Sequence, residues 1–116
     1  MFVISDDLVG ELLEFRDVRN WKQFHTPRNL AASLVIEASE LLECFQWIRD
    51  DELSRVVVQE RGAIEDELAD VAILLTYLCV DLGIDVETIV KRKLISNGEK
   101  YPVDRSWGTS RKYDKL

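Results

Sequence analysis

Cysteine is scarce in this chain. The two present, Cys44 and Cys79, lie inside apolar helical patterns, not at the spacing of a metal site or a disulfide framework. This excludes a disulfide-built scaffold and reads as core thiols in a reducing compartment. No apolar run reaches the length of a membrane span. The opening MFVISDDLVGELLEF lacks the basic start and small-residue cleavage site of a secretory signal. The expectation is a cytoplasmic protein with no membrane partner. Basic charge is also short, with 15 Lys and Arg against 22 Asp and Glu, a formal charge of -7 at pH 7. Proteins that grip nucleic-acid backbones concentrate cationic side chains to displace counterions. A nucleic-acid polymer is therefore not an expected partner, and any phosphate-bearing ligand would need a metal ion. Strand alternation, repeats and low-complexity segments are absent as well.

What is present is helical. The 116 residues, 47% hydrophobic and 32% charged, have the size and composition of one folded domain spanning 1–116. Ser5 can cap a first helix reaching about Asn20, with Asp6 and Asp7 in its first turn, where the helix dipole favours negative charge. A loop, WKQFH, follows. Thr26 and Pro27 read as an N-cap and first helical position of a second helix running to about Ile48. RDDELSRVVVQERG is a charged connector, in part helical. A third helix is expected from about Gly62 to Leu82, ended by Gly83. A fourth starts at Asp85 and continues to Asn97 and Gly98. The tail after Tyr101-Pro102 is basic, aromatic and aperiodic. The predicted fold is all-α, resembling a four-helix bundle with an irregular C-terminal arm. VAILLTYLCV in the third helix is apolar on nearly every face. Four short helices cannot cover it all round, which points to a homodimer or homotetramer.

Carboxylates interrupt the apolar stripes. At about 100° per residue, Glu37 falls within about 20° of Leu30 and Cys44, and Glu40 lies at the edge of the same stripe. Glu43 points away. On the third helix, Glu67 falls between Leu74 and Leu78, and Asp70 between Leu74 and Tyr77. If these helices pack antiparallel, E-x-x-E and E-x-x-D aim four carboxylates at one volume. A buried carboxylate is costly alone, and like charges a few ångströms apart repel strongly, so the cluster calls for a cation. Oxygen-only ligands suit Mg²⁺, with Mn²⁺ as a substitute; a di-iron bundle would use Glu-x-x-His pairs, and the single histidine, His25, lies outside that spacing. A solvated acidic face is the plainer reading of either pair taken alone.

Aromatic and basic residues accompany the acids. Trp47, two turns beyond Glu40, offers a face on which a nucleotide base could stack while its phosphates reach the metal; Trp21, Phe24 and His25 add a second aromatic group. Core packing is the alternative, favoured for Phe24 and evenly balanced against base stacking for Trp21. Lys93 and Asn97, at i and i+4, with Lys100 beyond, form a strip suited to phosphate or simply an ordinary surface.

FRDVRNWKQFHTPRNL, EASELLECFQW, EDELADV and KLISNGEKYP with the closing SRKY together resemble the all-α nucleoside triphosphate pyrophosphatases, the MazG-like superfamily, and among them the dCTP-cleaving group. The resemblance extends from about Leu8 to the end. It implies hydrolysis of a nucleoside triphosphate, such as dCTP, between the α- and β-phosphates, within a dimer or a dimer of dimers. It implies Mg²⁺ ligands at Glu37, Glu40, Glu67 and Asp70, base and sugar contacts at Trp21, His25 and Trp47, and triphosphate contacts at Lys93 and Asn97. The ions would neutralise phosphate charge and acidify a water for in-line attack, with Glu37 or Glu40 taking its proton. Leu12 and Leu74 stand where the animal dCTP-cleaving enzymes have a histidine and a tyrosine. Each replacement removes a polar handle, so base and sugar selectivity can differ, with dUTP or a modified nucleotide as alternatives. A helical scaffold or sensor that binds metal or nucleotide without turnover is the rival from outside enzymology.

Overall fold

The computed structural model describes residues 4–116, and every regular element among them is helical. There are six α-helices where the sequence pattern outlines four: α1 (Asp6–Asp17), α2 (Pro27–Glu43), α3 (Leu53–Gln59), α4 (Arg61–Leu82), α5 (Val86–Lys100) and α6 (Val103–Ser106). The caps explain the starts. Ser5 accepts a hydrogen bond from the Leu8 amide at 3.2 Å, Thr26 from the Asn29 amide at 3.1 Å, and Asp85 from the Thr88 amide at 3.2 Å. Gly83 ends α4 in the left-handed region, at φ 65°, where a Cβ would be strained.

The differences lie at the ends and in the connector. α1 stops at Asp17 rather than near Asn20, because the Arg19 and Asn20 amides turn back to the Arg16 and Asp17 carbonyls and Asn20 takes φ 55°. α2 stops at Glu43 rather than Ile48. Bonds from Cys44, Phe45 and Ile48 to carbonyls three residues earlier tighten its end into turns. The charged connector forms α3, anchored by buried Val56. The arm carries the short α6, and Tyr113 packs edge-on to Tyr101 with ring centroids 6.0 Å apart.

α2 and α4 form the main packed pair. His25, just before α2, meets Tyr77 late in α4, with ring centroids 5.2 Å apart, whereas Glu37, late in α2, meets Glu67 and Asp70 early in α4. The two helices are therefore antiparallel. α1 is fastened to the far half of α4 by a buried ion pair: both terminal nitrogens of Arg16 donate to Asp81 at 2.8 Å, and Arg16 is only 2% exposed. The Tyr77 hydroxyl donates to the Leu12 carbonyl at 2.7 Å.

The chain is open in shape. Its radius of gyration is 17.7 Å, against about 13 Å for a compact domain of this length. Among the described residues, Leu30, Val56, Tyr77 and Cys79 are the buried hydrophobic ones, while Leu68, Val80 and Leu82 of α4 and Val90, Leu94 and Ile95 of α5 remain exposed. The apolar faces of α4 exceed what one chain covers.

The Arg16–Asp81 pair carries a stability prediction. Replacing Asp81 with Asn leaves a buried guanidinium without its counterion and should cost about 3–5 kcal/mol in chemical denaturation. Arg16 holds the Asp81 carboxyl below its ordinary 3.8. The pair's contribution is therefore present above that value and lost as pH falls through the depressed one, and the acid unfolding curve of Asp81→Asn should lack this component.

Candidate active site

The α2/α4 pair brings Glu37, Glu67 and Asp70 together. One carboxylate oxygen from each lies within 4.8 Å of the others. Glu37 Oε2 and Glu67 Oε2 are shielded from solvent and have no hydrogen-bond partner among the described residues. No basic side chain of the described residues forms an ion pair with the acids. The electrostatic consequence falls on Glu37. The adjacent Glu40 carboxyl, then burial, then Glu67 push it up to about 7. Glu67 is raised as well, with burial the leading cause. Metal-free, the cluster holds on to a proton.

These residues fit a divalent cation. Octahedral oxygen ligands at about 2.1 Å lie about 3.0 Å apart when adjacent and about 4.2 Å apart when opposite, so rotation of the carboxylate side chains would close the three oxygens around Mg²⁺ or Mn²⁺. The orphaned oxygens of Glu37 and Glu67 supply the lone pairs. Glu40 is beside Glu37 but outside the three-oxygen group. Glu43, Glu65 and Asp66 are exposed.

The same acids open onto a cleft of about 380 Å³. Glu37 and Asp70 line one part of it, Trp21, His25, Phe15 and Tyr77 the aromatic part, and Leu12, Ile73 and Leu74 the apolar remainder. Trp21 stands edge-on to Phe15, with ring centroids 5.8 Å apart, and Arg19 lies 3.6 Å over the Phe15 ring. Phe24 is exposed and does not line the cleft. Trp47 is 85% exposed and also outside it. Lys93 and Asn97 are exposed on α5, where Lys93 borders a different cavity with Ile89, Arg92 and Ser96. Within one chain, the structure thus gathers the acids with Trp21 and His25 and leaves Trp47, Lys93 and Asn97 apart.

Residues 32–116 match the MazG-like family. The chain belongs to that family. It is 43% identical over 105 residues to dCTP pyrophosphatase 1 of Rattus norvegicus and 41% identical over the same length to that of Homo sapiens, in each case across 89% of this chain and 62% of the relative. The chain thus spans about three fifths of the length of these relatives. A crystal structure of a pyrophosphatase from Archaeoglobus fulgidus superposes with a TM-score of 0.81 at 48% identity, covering 84% of this chain and 91% of that one.

Tyr77 lines the cleft, Arg16 touches His25 and Tyr77, and Asp81 holds Arg16, yet sequence reasoning singles out none of the three as functional. The available signal was Arg16 itself, a charge in the apolar stripe of α1 with Val9, Leu12 and Leu13, the same kind of anomaly that exposes Glu37.

Because the folded protein holds the Glu37 proton up to about 7 while an unfolded glutamate releases it near 4.5, metal-free stability should fall as pH rises between those values. Mg²⁺ should reverse this, so its increment in Tm should be larger at pH 8 than at pH 5. Glu37→Gln should raise the metal-free Tm at pH 8 and abolish the Mg²⁺ increment; calorimetry with and without the ion checks both.

Proposed function

We propose that the chain is a single MazG-like domain acting as a Mg²⁺-dependent nucleoside triphosphate pyrophosphohydrolase, which releases a nucleoside monophosphate and pyrophosphate. The carrying observation is the group of three carboxylate oxygens, two of its side chains with an orphaned buried oxygen, at the mouth of an aromatic-lined cleft. The family match and the dCTP pyrophosphatase relatives support the same chemistry and make dCTP the first substrate to test. Removal of unwanted nucleotides from the cytoplasmic pool is the role that follows.

Glu37, Glu67 and Asp70 would hold a divalent cation, which would supply phosphate neutralisation and lower the pKa of a water. The protein does the rest. Trp21 presents an aromatic face to the base, and the apolar wall from Leu12 and Leu74 dries the cleft. Glu40, next to the three ligands but not among them, is the carboxylate left to accept the proton of the attacking water.

Self-association completes this reading. The open shape, the uncovered faces of α4 and α5, and the distance of Lys93 and Asn97 from the cleft support a homodimer, or a pair of dimers, in which a second copy brings the α5 strip and Trp47 to the acids. A non-catalytic scaffold would retain the ion without turnover.

Incubation with a nucleotide panel and Mg²⁺ should yield pyrophosphate, with dCTP among the substrates; orthophosphate as the first product would overturn the cleavage position, and no product would favour the scaffold. Glu67→Gln should lose both the Mg²⁺ increment in Tm and activity, by about 100-fold or more, whereas Glu40→Gln should lose activity and keep much of the increment. Mixing inactive Glu67→Gln with inactive Lys93→Ala chains should restore about a quarter of wild-type activity if sites are shared across a two-fold interface and copies exchange freely. No recovery after confirmed exchange would show that each chain carries its own site.

A further inference from the structure

Arg16 is the most buried charged side chain among the described residues, and the carboxylate chemistry does not use it. Asp81 takes both terminal nitrogens, and the guanidinium carbon lies 4.6 Å from the centre of the Tyr77 ring. This fixes its orientation. Nη1, already donating to Asp81, also faces Nδ1 of His25 at 3.5 Å.

Arginine has no acceptor and does not give up its proton, so whatever faces it must offer a lone pair. A proton on Nδ1 would be set against the guanidinium hydrogens. His25 therefore keeps Nδ1 bare, and burial together with the Arg16 charge lowers its pKa from the ordinary 6.5. A neutral imidazole with a bare Nδ1 carries its proton on Nε2. With Nδ1 turned to Arg16 and the ring packed against Tyr77, the Nε2–H edge is what remains for the cleft.

The cleft has few other donors. The Tyr77 hydroxyl is committed to the Leu12 carbonyl, and the acids, once a cation has replaced their shared proton, would only accept. Trp21 and His25 are left. An uncharged donor suits an oxygen acceptor of a nucleoside, whereas a protonated imidazole would be drawn to phosphate.

We propose that Arg16, held by Asp81, is a positioning residue that fixes His25 as a neutral Nε2–H donor to an oxygen acceptor on the nucleoside part of the substrate. The proposal rests on the nucleotide reading above, and its first test is independent of turnover. His25 is the chain's single histidine, so nitrogen-15 spectra of the whole protein at pH 7 report one imidazole without assignment. The expected signal is a neutral ring protonated at Nε2; a proton on Nδ1, or a doubly protonated ring, overturns the proposal. Arg16→Lys, verified as folded by its melting curve, should raise KM about tenfold with kcat within about twofold, because a nucleoside contact is weakened while the acids are intact. Equal losses in kcat, or an unchanged KM, would reduce Arg16 to a structural role. In a His25→Gln background, where the amide turns freely, Arg16→Lys should leave KM where Gln put it; a further tenfold rise would show that Arg16 does not act through His25. If the wild type cleaves no nucleotide the function reading fails alone, since the tautomer still decides what Arg16 does.

Discussion

Mutual repulsion among carboxylates is the constraint around which this molecule is arranged. Acids set into the apolar stripes of α2 and α4 can share one volume only if a proton or a cation shares it with them. The helices that bring them together are also the best-packed pair in the chain. Packing thus imposes the electrostatic conflict, which a bound cation would relieve. A surface cluster with freedom to spread would lack that leverage.

The opposite end of the same helix pair resolves charge differently. Arg16 and Asp81 neutralise one another across α1 and α4 through both terminal guanidinium nitrogens, while Nε has no hydrogen-bond partner among the described residues. One end of α4 is therefore electrically closed and the other open. The cleft runs between them, so a ligand lying along it passes from an environment that tolerates no further charge to one that demands it. A nucleotide, neutral at its base and charged at its phosphates, has that polarity.

Much of this was legible in the sequence. Ser5, Thr26-Pro27, Gly83 and Asp85 mark helix boundaries because each makes a local bond or adopts a local conformation that its residue type favours. Glu37, Glu67 and Asp70 were legible because a charge inside an apolar period contradicts its neighbours. The ends of α1 and α2 were not: the turns at Arg19–Asn20 and Cys44–Ile48 are set without a glycine or proline to announce them. The helicity of α3 was only half visible, because its anchor is the single buried Val56 in a strongly charged stretch. Trp47 shows the limit of helical arithmetic. A place two turns beyond Glu40 presumes a helix, and α2 ends at Glu43, before Trp47 is reached.

A 17.7 Å radius of gyration and exposed side chains along α4 and α5 leave much apolar surface of the single chain in water. If a second copy covers these faces, as proposed above, meeting it would be the last step of folding, and stability would depend on abundance through mass action. Scarcity would then leave the chain vulnerable to proteolysis, so the amount synthesised would become one of the determinants of its native state.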